Sequence, residues 1–224
     1  MCYWLSLLTL NLKPCLMKKF LLIDDHVVVR SGIKILLSEI YKPSQIDEAN
    51  DGESALRQVK DNSYDLVMLD IQMPNTDTFG LMEYFRVKYP DLKVLVFSMS
   101  PENIYAQRFL KAGARGFISK DSPLEEIKKA IDLVLNGRKY MSDSMLQELA
   151  SSGLDNKEQN LFNTLSAREF EIVSQLLNGH TVSQIANTLH LQVSTVGTHK
   201  ARIFDKLKVN NILELRELAN MYNL

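Results

Sequence analysis

Three aspartates in the first half of the chain stand directly after short runs of apolar residues. Asp24 and Asp25 follow the run Phe20–Ile23. Asp70 follows the run Leu66–Leu69. Such runs predict buried strands. Proteins built on a parallel sheet bind their ligands at the edge where the carboxyl ends of the strands meet. Carboxylates gathered at one edge repel one another unless a pKa is raised or a cation is bound, and oxygen ligands favour a hard divalent ion. We therefore expect Mg²⁺ at this edge.

A hydroxyl and an ammonium are expected at the same edge of the sheet. Ser98 ends the apolar run Val94–Phe97, and Lys120 follows the run Arg115–Ile118. A carboxylate nucleophile, a cation and a lysine suit phosphoryl transfer, because the protein then has to position the phosphoryl group and neutralise its charge. A single aspartate after a strand is more often a turn former or a helix cap. The full set of polar residues at corresponding strand ends favours a phosphoryl-transfer site over that alternative.

The segments that carry these residues alternate in type from Lys18 to about Asn136. Apolar runs rich in β-formers alternate with segments of helical period, which predicts a parallel sheet wrapped by helices. The predicted strands are Phe20–Ile23, Ile46–Ala49, Asp65–Leu69, Val94–Phe97 and Arg115–Ile118. Helices are expected from near Val27, Glu53, Phe79, Pro101 and Pro123. We predict an α/β fold, a doubly wound parallel (βα)5 sheet with strand order 2-1-3-4-5.

The pattern changes after Gly137. A stretch rich in Ser, Asp and Asn predicts a linker that holds one short helix near Met145–Leu149. Beyond Leu165 only helix-like segments follow, which predicts an all-α domain. These segments are Arg168–Leu177, Val182–Leu189, Ser194–Leu207 and Ile212–Met221. The predicted parts are an N-terminal extension at 1–16, an α/β domain at 17–137, a linker at 138–162 and an all-α domain at 163–224.

Composition is that of an ordinary folded protein. The chain has 224 residues, 46% of them hydrophobic, and a formal net charge of -1, which allows one large domain or two small ones and argues against disorder. Cys2 and Cys15 both lie near the start, so the remainder lacks material for disulfides or thiolate metal sites, which favours a reducing compartment. Met1–Leu12 lacks the basic start of a signal peptide and the length of a membrane span. We expect residues 1–16 to be an appendage or the product of a misassigned start, and the protein to be cytoplasmic.

The first domain resembles the receiver domain of response regulators over about Lys18–Asn136. The residues that carry the resemblance are Asp24-Asp25-His26, Leu66–Pro74, Ser98 and Gly116–Lys120. The resemblance implies a flavodoxin-like domain in which Asp70 accepts a phosphoryl group from a sensor histidine kinase.

The same resemblance implies roles for the residues around Asp70. Lys120 would pair with the phosphoryl group. Ser98 would move to bond a phosphoryl oxygen, and Phe117 would swing into the space that Ser98 leaves. The groups expected to hold Mg²⁺ are Asp24, Asp25, Asp70 and the backbone carbonyl of Gln72.

Two alternatives remain for this site. An Asp nucleophile after a parallel strand, with Mg²⁺, also occurs in phosphohydrolases of the haloacid dehalogenase type, which use a second Asp two residues later as acid and base. Gln72 occupies that position here, so fast hydrolysis would lack its proton shuttle. A degenerate receiver that is never phosphorylated is the other alternative, although every expected residue is present.

The all-α domain resembles the LuxR-type helix-turn-helix of NarL/FixJ response regulators over roughly Asn163–Leu224. The matching residues are Leu165–Glu169, Gly179, Ile185, Ala186, Leu189, Thr195, Val196, His199, Ile203, Lys206 and Leu207. The helix Ser194–Leu207 would enter the major groove of DNA, because its face opposite the apolar residues is free. The residues expected to contact DNA are Ser194, Thr195, Gly197, Thr198, Lys200, Ala201, Arg202 and Lys206.

Several residues weaken this DNA interface. Gln192 stands where a Ser would cap the helix, a loss of about 1 kcal/mol, and Gly197 costs about 1 kcal/mol relative to Ala. Ala201 has no hydrogen-bonding side chain, and Asp205 directs a carboxylate at the phosphates. Basic and acidic side chains nearly balance in this domain, so charge alone does not indicate DNA. We expect modest affinity per monomer, with specificity drawn partly from DNA shape and from dimeric binding to spaced half-sites.

Together the two resemblances imply a two-component transcription regulator. Phosphorylation of Asp70 would shift a two-state receiver, one state of which masks the DNA-binding helix, and would control dimerisation and binding to promoter DNA. We expect a homodimer when phosphorylated, no membrane partner, and no dedicated enzyme activity beyond slow loss of its own phosphoryl group. The apolar residues of the last helix either form a dimer contact or close the domain core; they are Ile212, Leu215, Leu218 and Ala219.

Overall fold

The first domain is a five-stranded parallel sheet covered by helices on both faces. The computed structural model describes residues 17–74, 76–151, 161–222 and 224. The strands are β1 (Lys18–Ile23), β2 (Ser44–Ala49), β3 (Leu66–Leu69), β4 (Val94–Ser98) and β5 (Gly116–Ser119). The helices are α1 (Val27–Ile40), α2 (Gly52–Asp61), α3 (Thr78–Lys88), α4 (Glu102–Ala112) and α5 (Leu124–Leu135). The sheet order is β2-β1-β3-β4-β5, which confirms the predicted fold class.

Alternate side chains of the interior strand β1 face the two sides of the sheet. Leu21 and Ile23 belong to the core shared with α2, α3 and α4. Phe20 and Leu22 belong to the core shared with α1 and α5. Because both faces of the sheet are buried, Phe20–Ile23 of this strand is continuously apolar instead of alternating with polar residues. Polar side chains are therefore confined to the strand ends, where they can meet.

The strand boundaries differ slightly from the predicted ones. Strand β1 begins at Lys18 and not at Phe20, because Lys18 pairs with Ser44 of β2. Strand β5 begins after Arg115 and ends at Ser119, whose pairing with β4 continues the ladder. Apolar runs do not reveal these ends, because backbone pairing continues through polar residues at the edge of a sheet.

The second domain is all α, as predicted. Its elements are a short 3-10 helix (Leu161–Thr164) followed by α7 (Ala167–Leu177), α8 (Val182–Thr188), α9 (Val193–Leu207) and α10 (Ile212–Met221), and α6 (Asp143–Ser151) precedes them in the connector. The buried centre of this domain includes Phe170, Ile185 and Ile203. Helix α7 begins with a capping box in which Ser166 and Glu169 each accept a hydrogen bond from the other's backbone N–H.

The connector helix α6 extends beyond the predicted segment Met145–Leu149. Its first turn is stabilised because the Ser142 hydroxyl oxygen accepts a hydrogen bond from the backbone N–H of Met145 at 3.2 Å. The Met145 side chain is buried in the core of the first domain beneath α3 and α4. Helix α6 therefore packs on the α/β domain. The predicted domain boundaries stay predictions, and the extension at 1–16 lies outside the described residues.

No helix in the described ranges combines the length and the apolar character that crossing a membrane requires.

Candidate functional site

The register of the sheet brings the predicted acidic residues together. Ile23 at the end of β1 pairs with Leu69 at the end of β3, so Asp24 and Asp70 leave the sheet side by side. The backbone N–H of Asp70 also donates to the carbonyl of Ile23 at 2.8 Å. Asp70 is 2% exposed and Asp24 is 4% exposed. Buried carboxylates require hydrogen bonds or opposite charges, and the surrounding strand ends supply both.

Asp70 is held at both of its carboxylate oxygens. Oδ1 accepts hydrogen bonds from the Ser98 hydroxyl at 2.7 Å and from the backbone N–H of Gln72 at 3.0 Å. Oδ2 accepts a hydrogen bond from the Lys120 ammonium at 2.7 Å. The sequence prediction that Ser98 and Lys120 share the edge with Asp70 agrees with these distances. The side chain is thereby fixed in place by groups from the end of β4, the loop after β3 and the residue that follows β5.

Lys120 joins two of the aspartates. Its Nζ lies 2.6 Å from Asp24 Oδ2 and 2.7 Å from Asp70 Oδ2, and its side chain is 7% exposed. Burial alone would lower the pKa of Lys120, but the hydrogen bonds from its ammonium to Asp24 and Asp70 outweigh burial and raise that pKa. The ammonium is therefore charged at neutral pH and offsets part of the acidic charge of the site.

His26 is a member of the site to which the sequence assigns no role. Its Nδ1 lies 2.9 Å from Asp25 Oδ1 and 3.1 Å from Asp24 Oδ1. It also lies 3.9 Å from Asp70 Oδ2, although its side chain is 59% exposed. The only signal in the sequence is adjacency to Asp25, and adjacency does not determine whether an imidazole turns toward the strand end or toward solvent.

The donor set fits a hard divalent cation. Among the described residues, Asp24, Asp25, His26 and Asp70 each offer one ligand atom, and these atoms lie within 4.8 Å of one another. Carboxylate oxygens dominate this set, and Mg²⁺ prefers such ligands while keeping several waters. The carbonyl of Gln72 stays a predicted ligand.

Two further predicted residues, Ser98 and Phe117, are buried. Ser98 is fully buried, and its hydroxyl lies 3.4 Å from that of Ser100. Phe117 on β5 is also fully buried, within the core shared with α3 and α4. The hydroxyl of Ser98 donates to Asp70, and the Phe117 ring is packed in the core. The movements predicted for these two residues on phosphorylation stay predictions.

The outer face of α9 carries most of the residues predicted to contact DNA. Ser194, Gly197, Thr198, Ala201 and Arg202 are all exposed, whereas Thr195 and Lys200 are half-buried. The expected mask over this helix is therefore not formed by any part of the chain that the structure describes. Val196, Ile203 and Leu207 on the opposite face are buried in the domain core, as their spacing predicts.

Several side chains of α9 are engaged within the domain. The Lys206 ammonium lies 2.6 Å from Glu169 Oε2, so its predicted phosphate contact would compete with an intramolecular ion pair. Thr198 donates its hydroxyl hydrogen to the carbonyl of Ser194 at 3.0 Å. Lys200 lies over the Phe204 ring, with its Nζ 5.3 Å from the ring centroid.

The start of α9 has the predicted defect. Gln192 occupies the N-cap position with extended backbone, and its side chain makes no capping hydrogen bond to any described residue. The first backbone N–H groups of α9 therefore need solvent or a ligand as acceptor.

Helix α10 divides its apolar residues between core and surface. Leu215 and Ala219 are buried and close the domain core. Leu213 is 68% exposed and Met221 is 78% exposed. Of the two roles that the sequence leaves open for this helix, closing the core is therefore correct for Leu215 and Ala219.

Comparison with known protein families matches both halves of the chain. The pattern described as "Response regulator receiver domain" matches residues 20–132. The pattern described as "Bacterial regulatory proteins, luxR family" matches residues 163–219. Together these matches include Asp24, Asp70 and Lys120 of the acidic site and all of α9.

Full-length relatives show the same combination. The response regulator GacA of Pseudomonas aeruginosa is 34% identical over 204 residues, which are 91% of this chain and 95% of that protein. The response regulator UvrY of Escherichia coli strain K12 is 31% identical over 205 residues, which are 91% of this chain and 94% of that protein.

Solved structures show the same fold. RcsB from Salmonella enterica serovar Typhimurium, bound to promoter rprA in the presence of the phosphomimetic BeF3-, has a TM-score of 0.72 at 22% identity. The similarity covers 90% of this chain and 98% of that one. A two-component response regulator RcsB–DNA complex has a TM-score of 0.71 at 22% identity, with the same coverage of 90% and 98%. The chain therefore belongs to the response regulators, and it is a two-component transcription regulator that joins a receiver domain to a DNA-binding domain of the LuxR family.

Proposed function

We propose that Asp70 accepts a phosphoryl group from a sensor histidine kinase and that this modification controls dimerisation and promoter binding. The observation that carries the proposal is the position of the Asp70 carboxylate. It is buried at the edge of the sheet, between the Ser98 hydroxyl and the Lys120 ammonium. Asp24 and Asp25 lie beside it with the carboxylates that a divalent ion needs.

The chemistry is a transfer between two nucleophiles. A carboxylate oxygen of Asp70 attacks the phosphorus of a phosphohistidine, a P–O bond forms, the P–N bond breaks, and its electron pair stays on the imidazole of the kinase. Lys120 neutralises charge on the transferred oxygens, and Ser98 turns its hydroxyl from Asp70 to one of them. Mg²⁺ held by Asp24, Asp25 and Asp70 supplies further charge neutralisation when bound.

The same pocket favours retention of the phosphoryl group over rapid turnover. Gln72 offers an exposed amide side chain, not the carboxylate that a proton shuttle would need. Autodephosphorylation is accordingly slow, and the protein acts as a phosphoacceptor and not as a phosphohydrolase.

DNA is the partner of the second domain. Among the solved relatives are RcsB bound to promoter DNA and two RcsB dimers bound to two parallel DNAs. In this chain the exposed face of α9 is free to enter a major groove, and Arg202 is the cation best placed to reach a phosphate. The exposed apolar residues Leu213 and Met221 of α10 suit a contact between two copies. We also propose a cytoplasmic location, because that is where promoter DNA would be bound.

Beryllofluoride, which mimics a phosphoryl group on a carboxylate, tests the phosphoacceptor directly. We expect Mg²⁺-dependent binding of beryllofluoride, detected by ¹⁹F NMR, that disappears in Asp70→Asn. Asp121→Asn is a matched control, because Asp121 is an exposed aspartate at the same edge of the sheet. Equal binding by wild type and Asp70→Asn would contradict the proposal.

A salt titration of DNA binding tests the output. Beryllofluoride and Mg²⁺ are expected to raise the affinity for the protein's own promoter region. Added salt should then lower that affinity. The absence of both binding and salt dependence would indicate a protein-interaction domain instead.

A further inference from the structure

A largely buried arginine of the first helix contacts the turn that carries Asp24 and Asp25. The Arg30 side chain is 12% exposed. Its Nη1 donates a hydrogen bond to the backbone carbonyl of Asp24. Its Nε donates to Oε2 of Glu48, on β2, at 3.0 Å. Arg30 therefore ties the turn between β1 and α1 to the neighbouring strand.

Glu48 keeps the guanidinium of Arg30 in this position. Its other carboxylate oxygen, Oε1, accepts a hydrogen bond from the Lys34 ammonium at 2.6 Å. The hydrogen bonds from Lys34 and Arg30 lower the pKa of Glu48, so its carboxylate is charged at neutral pH. The donors of a planar guanidinium point in fixed, different directions, so Arg30 can hold this carboxylate and the Asp24 carbonyl at the same time.

Every hydrogen-bonding group of Asp24 has a partner. Its backbone N–H donates to the carbonyl of Ala49 at 3.1 Å. Its Oδ1 accepts a hydrogen bond from the backbone N–H of His26 at 2.7 Å, and its Oδ2 lies 2.6 Å from the Lys120 ammonium. The backbone carbonyl is the remaining group, and Arg30 is its donor. The sheet therefore fixes the N–H of Asp24, and Arg30 fixes its carbonyl.

The Asp24 carbonyl influences the direction of the next residue, Asp25. A peptide group is planar, so a hydrogen bond that fixes the Asp24 carbonyl also fixes the plane that contains the N–H and Cα of Asp25. Lys120 holds the carboxylates of Asp24 and Asp70 directly. Oδ1 of Asp25, in contrast, accepts no hydrogen bond from the described part of the chain, although His26 Nδ1 lies 2.9 Å away. The position of the Asp25 carboxylate therefore depends mainly on its backbone.

We propose that Arg30 is a positioning residue for the divalent ion: by holding the Asp24 carbonyl, it directs the Asp25 carboxylate at the ion. This inference rests on the proposed function, in which Asp24, Asp25 and Asp70 bind Mg²⁺. Arg30 is not itself a ligand, because a guanidinium offers donors and no acceptor. Removal of a group that orients the ligands of a metal typically lowers the affinity for the metal by about 10- to 100-fold.

The positive charge of Arg30 has the opposite effect on the ion. A guanidinium near the acidic site repels a divalent cation, so loss of the charge alone should strengthen Mg²⁺ binding. A positioning role requires the reverse, because a displaced Asp25 carboxylate binds the ion less well. A role in stability alone would leave the Mg²⁺ affinity of the folded protein unchanged. The sign of the change in Mg²⁺ affinity therefore distinguishes the three roles.

The test is a Mg²⁺ titration of the full-length protein, followed by the NMR chemical shifts of its backbone amides. Arg30→Gln removes the guanidinium and should bind Mg²⁺ about tenfold more weakly than wild type. Lys34→Gln is the matched control, because Lys34 is the other cation paired with Glu48 and donates to no atom of Asp24 in the described ranges. This control should bind Mg²⁺ at least as tightly as wild type. Unchanged or tighter binding by Arg30→Gln overturns the inference.

The dependence of phosphorylation on Mg²⁺ provides a second readout. With acetyl phosphate as donor, Arg30→Gln should need about tenfold more Mg²⁺ than wild type to reach half of its maximal rate. Its rate at saturating Mg²⁺ should stay close to that of wild type, because the Asp70 carboxylate keeps its contacts with Ser98 and Lys120. A lower maximal rate with an unchanged requirement for Mg²⁺ would contradict a positioning role.

Arg30→Lys repeats the test where Arg30→Gln fails to fold. It keeps the charge but lacks the fork that reaches two partners, so its Mg²⁺ affinity should also fall, and wild-type affinity in this variant would overturn the inference. The titration also separates the inference from the proposed function. A wild type that binds no Mg²⁺ would overturn the metal site of the proposed function, whereas equal affinities in wild type and Arg30→Gln would overturn only the role of Arg30.

Discussion

Asp77 and Arg168 are 91 residues apart in sequence, and their side chains meet at 2.6 Å across the boundary between the two domains. Arg168 also donates to Glu171 at 2.7 Å, so one guanidinium nitrogen contacts both acidic side chains. Burial, and then the nearby charge of Asp77, raise the pKa of Glu171 to about 8. Glu171 therefore carries a proton at neutral pH, and the interface avoids an uncompensated negative charge.

The raised pKa of Glu171 predicts a specific dependence of stability on pH. Because the folded state holds a proton that the unfolded state releases above its ordinary pKa of 4.5, the free energy of unfolding should fall as pH rises from about 5 to 8. Glu171→Gln mimics the protonated side chain and should remove this part of the slope. The measurement is urea denaturation at several pH values. Glu217→Gln, at an exposed position on α10, should follow wild type. Parallel curves for Glu171→Gln and wild type would show that Glu171 is ionised.

Replacing Gly197 by Ala should stabilise the protein and weaken its binding to DNA. A Cβ added at Gly197 would meet no described atom within 4 Å, so Gly197→Ala should raise the free energy of unfolding by about 0.5–1 kcal/mol. The added methyl group lies on the face of α9 proposed to approach DNA, and affinity for DNA should fall. Gly32→Ala is a matched control, because Gly32 lies in α1 with the same open surroundings. It should add stability without any change in affinity, and an unchanged affinity in Gly197→Ala would remove this face from the DNA interface.

The predictable part of the molecule is the part in which local pattern and tertiary structure agree. The apolar runs predict the five strands because both faces of the sheet are buried, and the strand ends predict Asp70, Ser98 and Lys120 because parallel strands end together. The contact between Asp77 and Arg168 has no local signal, since it depends on how two separately patterned domains dock. The ion pair of Lys206 with Glu169 likewise cannot be predicted from the sequence, because spacing along α9 does not show which neighbour a long side chain reaches.

Because Lys206 is paired with Glu169, Arg202 and Lys206 should contribute differently to the salt dependence of DNA binding. Arg202→Gln should lower the slope of log affinity against log salt by about one unit, because it removes a phosphate contact. Lys206→Gln should leave the slope nearly unchanged and should instead destabilise α7, since Lys206 supports the buried carboxylate of Glu169. Salt titrations of promoter binding by both variants provide the comparison. Equal loss of slope in the two variants would show that Lys206 leaves Glu169 for DNA.

The affinity for beryllofluoride should depend on the Ser98 hydroxyl. A hydrogen bond to a charged acceptor contributes about 1.5–3 kcal/mol, so Ser98→Ala should weaken beryllofluoride binding by about tenfold or more. Ser98→Thr retains the hydroxyl and should restore most of the affinity. Wild-type affinity in Ser98→Ala would mean that the hydroxyl does not follow the phosphoryl group.

The most direct measurement is the mass of the intact protein after incubation with acetyl phosphate and Mg²⁺. One added phosphoryl group is expected on the wild type, with none on Asp70→Asn, because Asp70 is the carboxylate held between Ser98 and Lys120. Chelation of Mg²⁺ should prevent the addition. Retention of the added mass in Asp70→Asn, or its complete absence from the wild type, would contradict the assignment of Asp70 as the phosphoacceptor.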